Sequence, residues 1–208
     1  MKVRRFARQL QFSTVALALM SVGPLPALAQ DGHSHMPTAQ TNELTPDQKS
    51  KASALLSKVR ESTERFKNVE VAEAEGYELQ FGCVSGDSAG AMGLHYVNGG
   101  LVGKGVIDAA HPQIVIYEPT SDGRLRLIGA DYLILVEQWK ADKKHTAPPE
   151  LMGQLFHLFD EPNRFGLKAF YSLHVWAWKD NPNGAFVNWH PNVSCEPFTG
   201  KDDPDPRR

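Results

Sequence analysis

The chain has 208 residues, 41% of them hydrophobic, a formal charge of −2 and only two cysteines. That balance argues against a nucleic-acid or anionic-membrane partner, since both require a strongly basic face. The two cysteines stand too far apart for a CxxC redox motif or a thiolate zinc cluster.

The first 29 residues read as a secretory signal peptide. MKVRRFARQLQ is basic without an acid, FSTVALALMSVGPLPALA is apolar, and Ala27-Leu28-Ala29 supplies a small-residue cleavage site before Gln30. A periplasmic or secreted location follows. Loss of the four cations Lys2, Arg4, Arg5 and Arg8 takes the net charge from −2 to −6. No later run approaches the roughly 20 apolar residues of a membrane helix, so no stable membrane anchor is expected. Residues 30–44 are polar and aperiodic, a flexible lead-in with incidental His33, His35 and Met36. Residues 45–198 suffice for a single globular domain. Residues 199–208, ending in GKDDPDPRR, read as a disordered tail.

Thr45-Pro46-Asp47-Gln48 opens a helix, with Thr45 as N-cap, Pro46 at the first helical position and an acid in the first turn. Leu55, Val59, Ser62 and Phe66 follow at helical spacing beside Leu56, an apolar stripe that packs on a sheet. A break near Asn68 precedes a second short helix, VEVAEAE, ending at Gly76. From Tyr77 onward glycine, β-branched and aromatic residues dominate, with turn signals at short intervals. The expected fold is therefore α+β: N-terminal helices packed on a mainly antiparallel, twisted sheet or partly closed β-barrel.

The glycine-rich segment GCVSGDSAGAMGLHYVNGGLVGKG lacks the lysine-serine ending of a phosphate loop and any dinucleotide fingerprint. Its glycines serve tight turns and close approach of another surface. Neither Ser85 nor Ser88 sits in a GxSxG elbow, which leaves a serine hydrolase unsupported. QIVIYEPTSDGRLRLIGADYLIL reads as a hairpin about Asp122-Gly123. Counting outward from that turn sets Glu118 opposite Leu127 and Ile114 opposite Asp131, with all four and Ile116 on one face and Arg126 off it. Glu118 and Asp131 are then too far apart along the sheet for paired-carboxylate acid/base catalysis. APPELMGQLFHLFDEPNRFG reads as a short amphipathic helix from Pro149 to Phe159, with His157 in its last turn.

FYSLHVWAWKDNPNGAFVNWHPNVSC concentrates three tryptophans, two histidines and a cysteine within 26 residues. Strand alternation sends Ser172, His174, Trp176 and Trp178 to one face, and Tyr171, Leu173, Val175 and Ala177 to the other. The two cysteines of an exported chain, Cys83 and Cys195, are expected to form a disulfide.

Histidine is the main chemical signal. His95 and His174 lie on strands among apolar neighbours, where neutral imidazoles suit zinc, copper or iron. Glu118, His157 and His190 are the candidates to complete that shell. Glu118, a carboxylate on an apolar face, needs a partner in any case. Trp176, Trp178, Trp189 and Phe170 suggest a second idea, a pocket for an apolar or aromatic small molecule. Against both stands the plain alternative that these histidines and tryptophans only build the core of an envelope protein.

The segments AMGLHYVN, IVIYEP, LRLIGADY, PPELMGQLFH and LHVWAWKDNPNGAFVNWHPNVSC, spread from Tyr77 to Cys195, resemble a family of exported bacterial proteins of unassigned function. The resemblance implies a secreted single domain in which the AMGLHY and LHVWAW segments belong together. It implies no reaction. The leading expectation is an exported metal-binding protein, with a metalloenzyme as its sharper form. The alternative is a non-catalytic carrier using the tryptophans, and the composition gives no oligomeric state.

Overall fold

The computed structural model describes residues 43–86 and 88–200. The expected signal peptide, most of the expected lead-in with His33, His35 and Met36, and the expected tail from residue 201 lie outside the described residues.

Helix α1 (Pro46–Thr63) begins as its sequence dictates: the Thr45 hydroxyl accepts from Gln48 N–H, and the Gln48 side chain accepts from Thr45 N–H, a capping box. Leu55, Val59 and Thr63, four residues apart, form its buried stripe. A 3₁₀ turn (Glu64–Lys67) delivers Phe66 to the core, and Asn68 caps the short α2 (Val69–Ala74) through Glu70 N–H.

Six strands form one sheet in the order β1-β2-β3-β4-β8-β7, with every neighbouring pair antiparallel. They are β1 (Tyr77–Ser85), β2 (Ala91–Asn98), β3 (Ile114–Pro119), β4 (Leu125–Leu135), β7 (His157–Phe159) and β8 (Phe170–Val175). Short helices α3 (Gly99–Lys104) and α4 (Val136–Ala141) follow β2 and β4. The sheet is open rather than a closed barrel. On one face, α1 packs Leu55 and Val59 against Tyr132, Leu173 and Val175, while Phe66 and Ala72 cover Leu94, Tyr96, Val115 and Tyr117. The other face carries Ile114, Ile116, Ile128, Leu133, Phe170 and Trp176, and Phe165, Leu167 and Val193 pack onto it.

Two sequence expectations fail. Residues 149–159 form no helix: β5 (Glu150–Leu151) and β6 (Gln154–Leu155) make a tiny hairpin and β7 follows. The turn residues Met152 and Gly153 both have positive φ, 49° and 83°, the handedness of a two-residue hairpin turn, which no helix can accommodate. The β3–β4 hairpin turns through five residues rather than two, with Thr120 N–H donating to Arg124 O and Pro119 facing Leu125. The register there differs by one from the count on Asp122-Gly123, so Glu118 faces Arg126. A bulge at Ile128 restores the count, and Ile114 does face Asp131.

Cys83 and Cys195 form the expected disulfide, tying β1 to the C-terminal segment across 112 residues. Closing so long a loop stabilises the fold by about 4–5 kcal/mol on the chain-entropy argument. Beside it, Ala91 and His190 exchange backbone hydrogen bonds, and a Cβ at Gly90 would lie 2.1 Å from His190 O, so glycine alone permits that approach.

Candidate metal centre

His95 projects from β2 on the face opposite the helices, directly across from Ile116, and His174 projects from β8 across from Asp131. β3 and β4 separate these strands, three intervals or about 14 Å at the usual spacing. The side chains span that gap: His95 Nε2 and His174 Nε2 are 3.2 Å apart, with the rings inclined at 74°. Asp131 rises from β4, its Oδ2 3.5 Å from His174 Nδ1. One donor atom from each of the three lies within 4.8 Å of the others, and all three side chains are buried.

Each member is fixed by its surroundings. His95 Nδ1 donates to Gly93 O at 3.2 Å. Gly93 presents that carbonyl at φ 89°, where a Cβ would stand 2.5 Å from Tyr117 O, so only glycine fits. Asp131 receives the Ser172 hydroxyl at 2.8 and 3.0 Å and the backbone N–H groups of Tyr132 and Leu173. Trp176 closes the side beyond His174, with ring centroids 5.9 Å apart.

Burial sets the charge state. It lowers His95 to about 4, helped by the neighbouring His174, against the pull of Asp131 and the Gly93 bond. Burial, with a smaller contribution from His157, lowers His174 to about 3. Burial raises Asp131 to about 6, although His95, Ser172 and two backbone N–H groups favour its anion. At neutral pH both imidazoles are neutral and the carboxylate is charged, so the contact between Asp131 and His174 is not an ion pair.

That state cannot satisfy its own atoms. His95 carries its proton on Nδ1, so its Nε2 is a bare acceptor. A proton on His174 Nε2 answers His95 but leaves Nδ1 without hydrogen before a carboxylate. A proton on Nδ1 leaves two lone pairs facing each other at 3.2 Å. His174 Nδ1 has no hydrogen-bond partner although buried. A cation between the two Nε2 atoms removes the conflict and neutralises the buried carboxylate.

The remaining sequence-predicted residues lie elsewhere. Glu118 is not in the site: it is buried against Arg126, which the shifted register sets opposite it, and against Lys179 from the segment after β8. His190 is fully buried but spent, accepting from Asn192 N–H on Nδ1 and donating from Nε2 to Asp180 O. His157 sits on edge strand β7 across from Ser172, exposed and outside the three-residue cluster. Nor do the tryptophans surround one pocket. Trp176 is core, its indole N–H donating to Val187 O. The strand ends at Val175, where Ala177 N–H turns back to Val175 O, so alternation stops and Trp178 reaches the helix side to donate to Thr63 Oγ1. Trp189 packs beside Gly86. Phe170 does line the cavity over the histidines. Asp131, absent from the expected ligand set, had a legible signal: one acid inside the apolar run LRLIGADYLIL, on the same face as Ile114.

No protein-family profile, curated protein or solved structure matches the chain.

Proposed function

We propose that this protein is an exported metal-binding protein that holds one transition-metal ion between His95 and His174, with Asp131 as its anionic partner. The carrying observation is the pair of imidazole Nε2 atoms 3.2 Å apart, which no neutral tautomer satisfies together with His174 Nδ1, beside a buried carboxylate that has no cation among the described residues. An ion at the usual imidazole–metal distance of about 2.0–2.1 Å from both would subtend about 100–106°, close to tetrahedral. Two imidazoles suit zinc, copper or iron and, with the Asp131 carboxylate beside His174 Nδ1 as the charge that orients that ring, leave coordination positions for an exogenous ligand, as in catalytic rather than structural centres. Export rests on the signal-like first 29 residues and the disulfide. Among the described residues no helix is long and apolar enough to cross a membrane.

Elemental analysis of mature protein purified without chelator, then reconstituted with zinc, copper or iron, tests the reading. About one ion per chain is expected in the wild type, with none in His95→Ala or His174→Ala and full retention in His190→Ala chains that remain folded. Wild-type protein free of metal after reconstitution overturns it.

A further inference from the structure

Above the histidines is a cavity of about 30 Å³, against the roughly 10–15 Å³ on the same measure that one water needs. Its polar lining consists of His95, Asp131, Ser172 and His174; the remainder is apolar and largely aromatic. The roof is a phenylalanine cluster. Phe165 meets Phe81 edge-on at 5.4 Å, and Phe159 stacks on Phe170 at 4.8 Å.

Phe81 reaches the roof by an unusual route. Gln80 pairs with His95 and Cys83 with Leu94, so Phe81 and Gly82 are both squeezed out of the β1–β2 ladder directly beside the histidine. Both have positive φ, 64° and 58°. A phenylalanine in the left-handed region is strained and persists only where its surroundings enforce it. Here that conformation places an aromatic ring on the wall of the cavity that His95 and His174 line.

Building on the metal-site reading, with iron or copper rather than the redox-inert zinc as the ion, we propose that this chamber admits one uncharged diatomic molecule, of the class of nitric oxide, carbon monoxide or dioxygen, to the open coordination position. A charged or polar ligand would leave its hydration shell for a wall with no donor or acceptor outside the site itself. The cavity has about 30 Å³, against the roughly 150 Å³ of a cavity that takes up a benzene ring. The event is reversible coordination: one donor bond forms to the ion, no covalent bond breaks and no proton moves.

Cobalt(II) is the probe, because its visible absorption reports coordination directly. Full-length mature protein is loaded with cobalt, its stoichiometry is measured, and the spectrum is followed during anaerobic titration with nitric oxide and separately with imidazole. Nitric oxide should perturb the bands at near-stoichiometric amounts, while imidazole leaves them unchanged at a thousandfold higher concentration. Phe81→Gly removes the ring and suits the positive φ, so the variant folds, and imidazole should then bind at least tenfold more tightly than to wild type. Phe165→Ala opens the same roof from the opposite side and should act likewise. Cobalt bound but indifferent to nitric oxide, or equally responsive to imidazole in wild type, overturns the size-selective chamber and leaves the metal site standing. Failure of cobalt to bind overturns the metal site itself, and the chamber's ligand with it.

Discussion

Glu118 and Asp131 are buried carboxylates on the two strands of one hairpin, exposed by only 4% and 3%. Glu118 has two cations, Arg126 and Lys179, on its two oxygens. Asp131 has a hydroxyl, two backbone N–H groups and a neutral imidazole, but no cation among the described residues. A fold that supplies two positive groups to one buried acid and none to the other leaves the second incomplete. The difference separates an ion pair that serves the fold from a charge that, with the two histidines, could hold a metal ion.

Exchanging the two acids for their amides gives the largest effects. Asp131→Asn should weaken metal binding by about 10–100-fold, the range for a carboxylate that orients a metal-bound histidine. The metal-free variant should be no less stable than wild type at pH 7, because an unpaired buried charge has gone. Glu118→Gln should leave metal affinity unchanged and cost about 1–3 kcal/mol by chemical denaturation, as Lys179 loses its charged partner. Isothermal titration with the metal found in the protein distinguishes the two. Equal loss of metal affinity in both variants would erase the contrast.

The pH dependence of the metal-stripped protein sharpens it. Unfolded histidine takes up its proton near 6.5, whereas folded His95 and His174 resist until about 4 and 3, so their contribution to stability is lost as pH falls. Asp131 runs the other way: folded, it keeps its proton up to about 6 instead of 3.8, which favours the fold at low pH and is lost as pH rises through that window. Two histidines outweigh one carboxylate by a net of about one proton between pH 4 and 6, so these three groups should lower stability by about 1.4 kcal/mol per unit as pH drops, in the same direction as His190, which burial also holds below its ordinary range. Asp131→Asn removes the opposing group and should steepen the slope. Glu118→Gln should leave it as it is. Urea midpoints at several pH values read all three, and a wild-type profile flat between 4 and 6 contradicts the assignment.

These residues also show what sequence can carry. The start of α1 is a local event within four residues, and Thr45, Pro46 and Gln48 announce it. Strand alternation is equally local, so the apolar settings of His95 and His174 are legible. Register is not. The two-residue turn finds the right partner for Ile114 only because an extra turn displacement and the Ile128 bulge cancel, and between them Glu118 faces Arg126 instead of Leu127. Residues 149–159 fit both periods, and the Met152-Gly153 turn decides for strand. Strand order is least accessible of all. Nothing in β8 says that it enters beside β4 and leaves β7 at the edge, yet that insertion brings His174 to Asp131.

The smallest effect belongs to Ser172, whose hydroxyl is the only side-chain donor on Asp131 among the described residues. Loss of that bond removes a group that favours the carboxylate anion, so in Ser172→Ala the Asp131 carboxyl should sit further above its ordinary range. More of it is then protonated at any pH near 6, and the ion must displace that proton to bind. Metal affinity at pH 6 should therefore fall by about tenfold, the lower end for an outer-shell partner, with a smaller loss at pH 8 where the carboxylate is charged in both proteins. Titrations at the two pH values separate this from a simple packing defect, which would weaken both equally. Ser172→Thr, which retains the hydroxyl, should restore most of the affinity at pH 6 where the added methyl is accommodated. An equal loss at pH 6 and pH 8 would mean that Ser172 holds the strand rather than the charge.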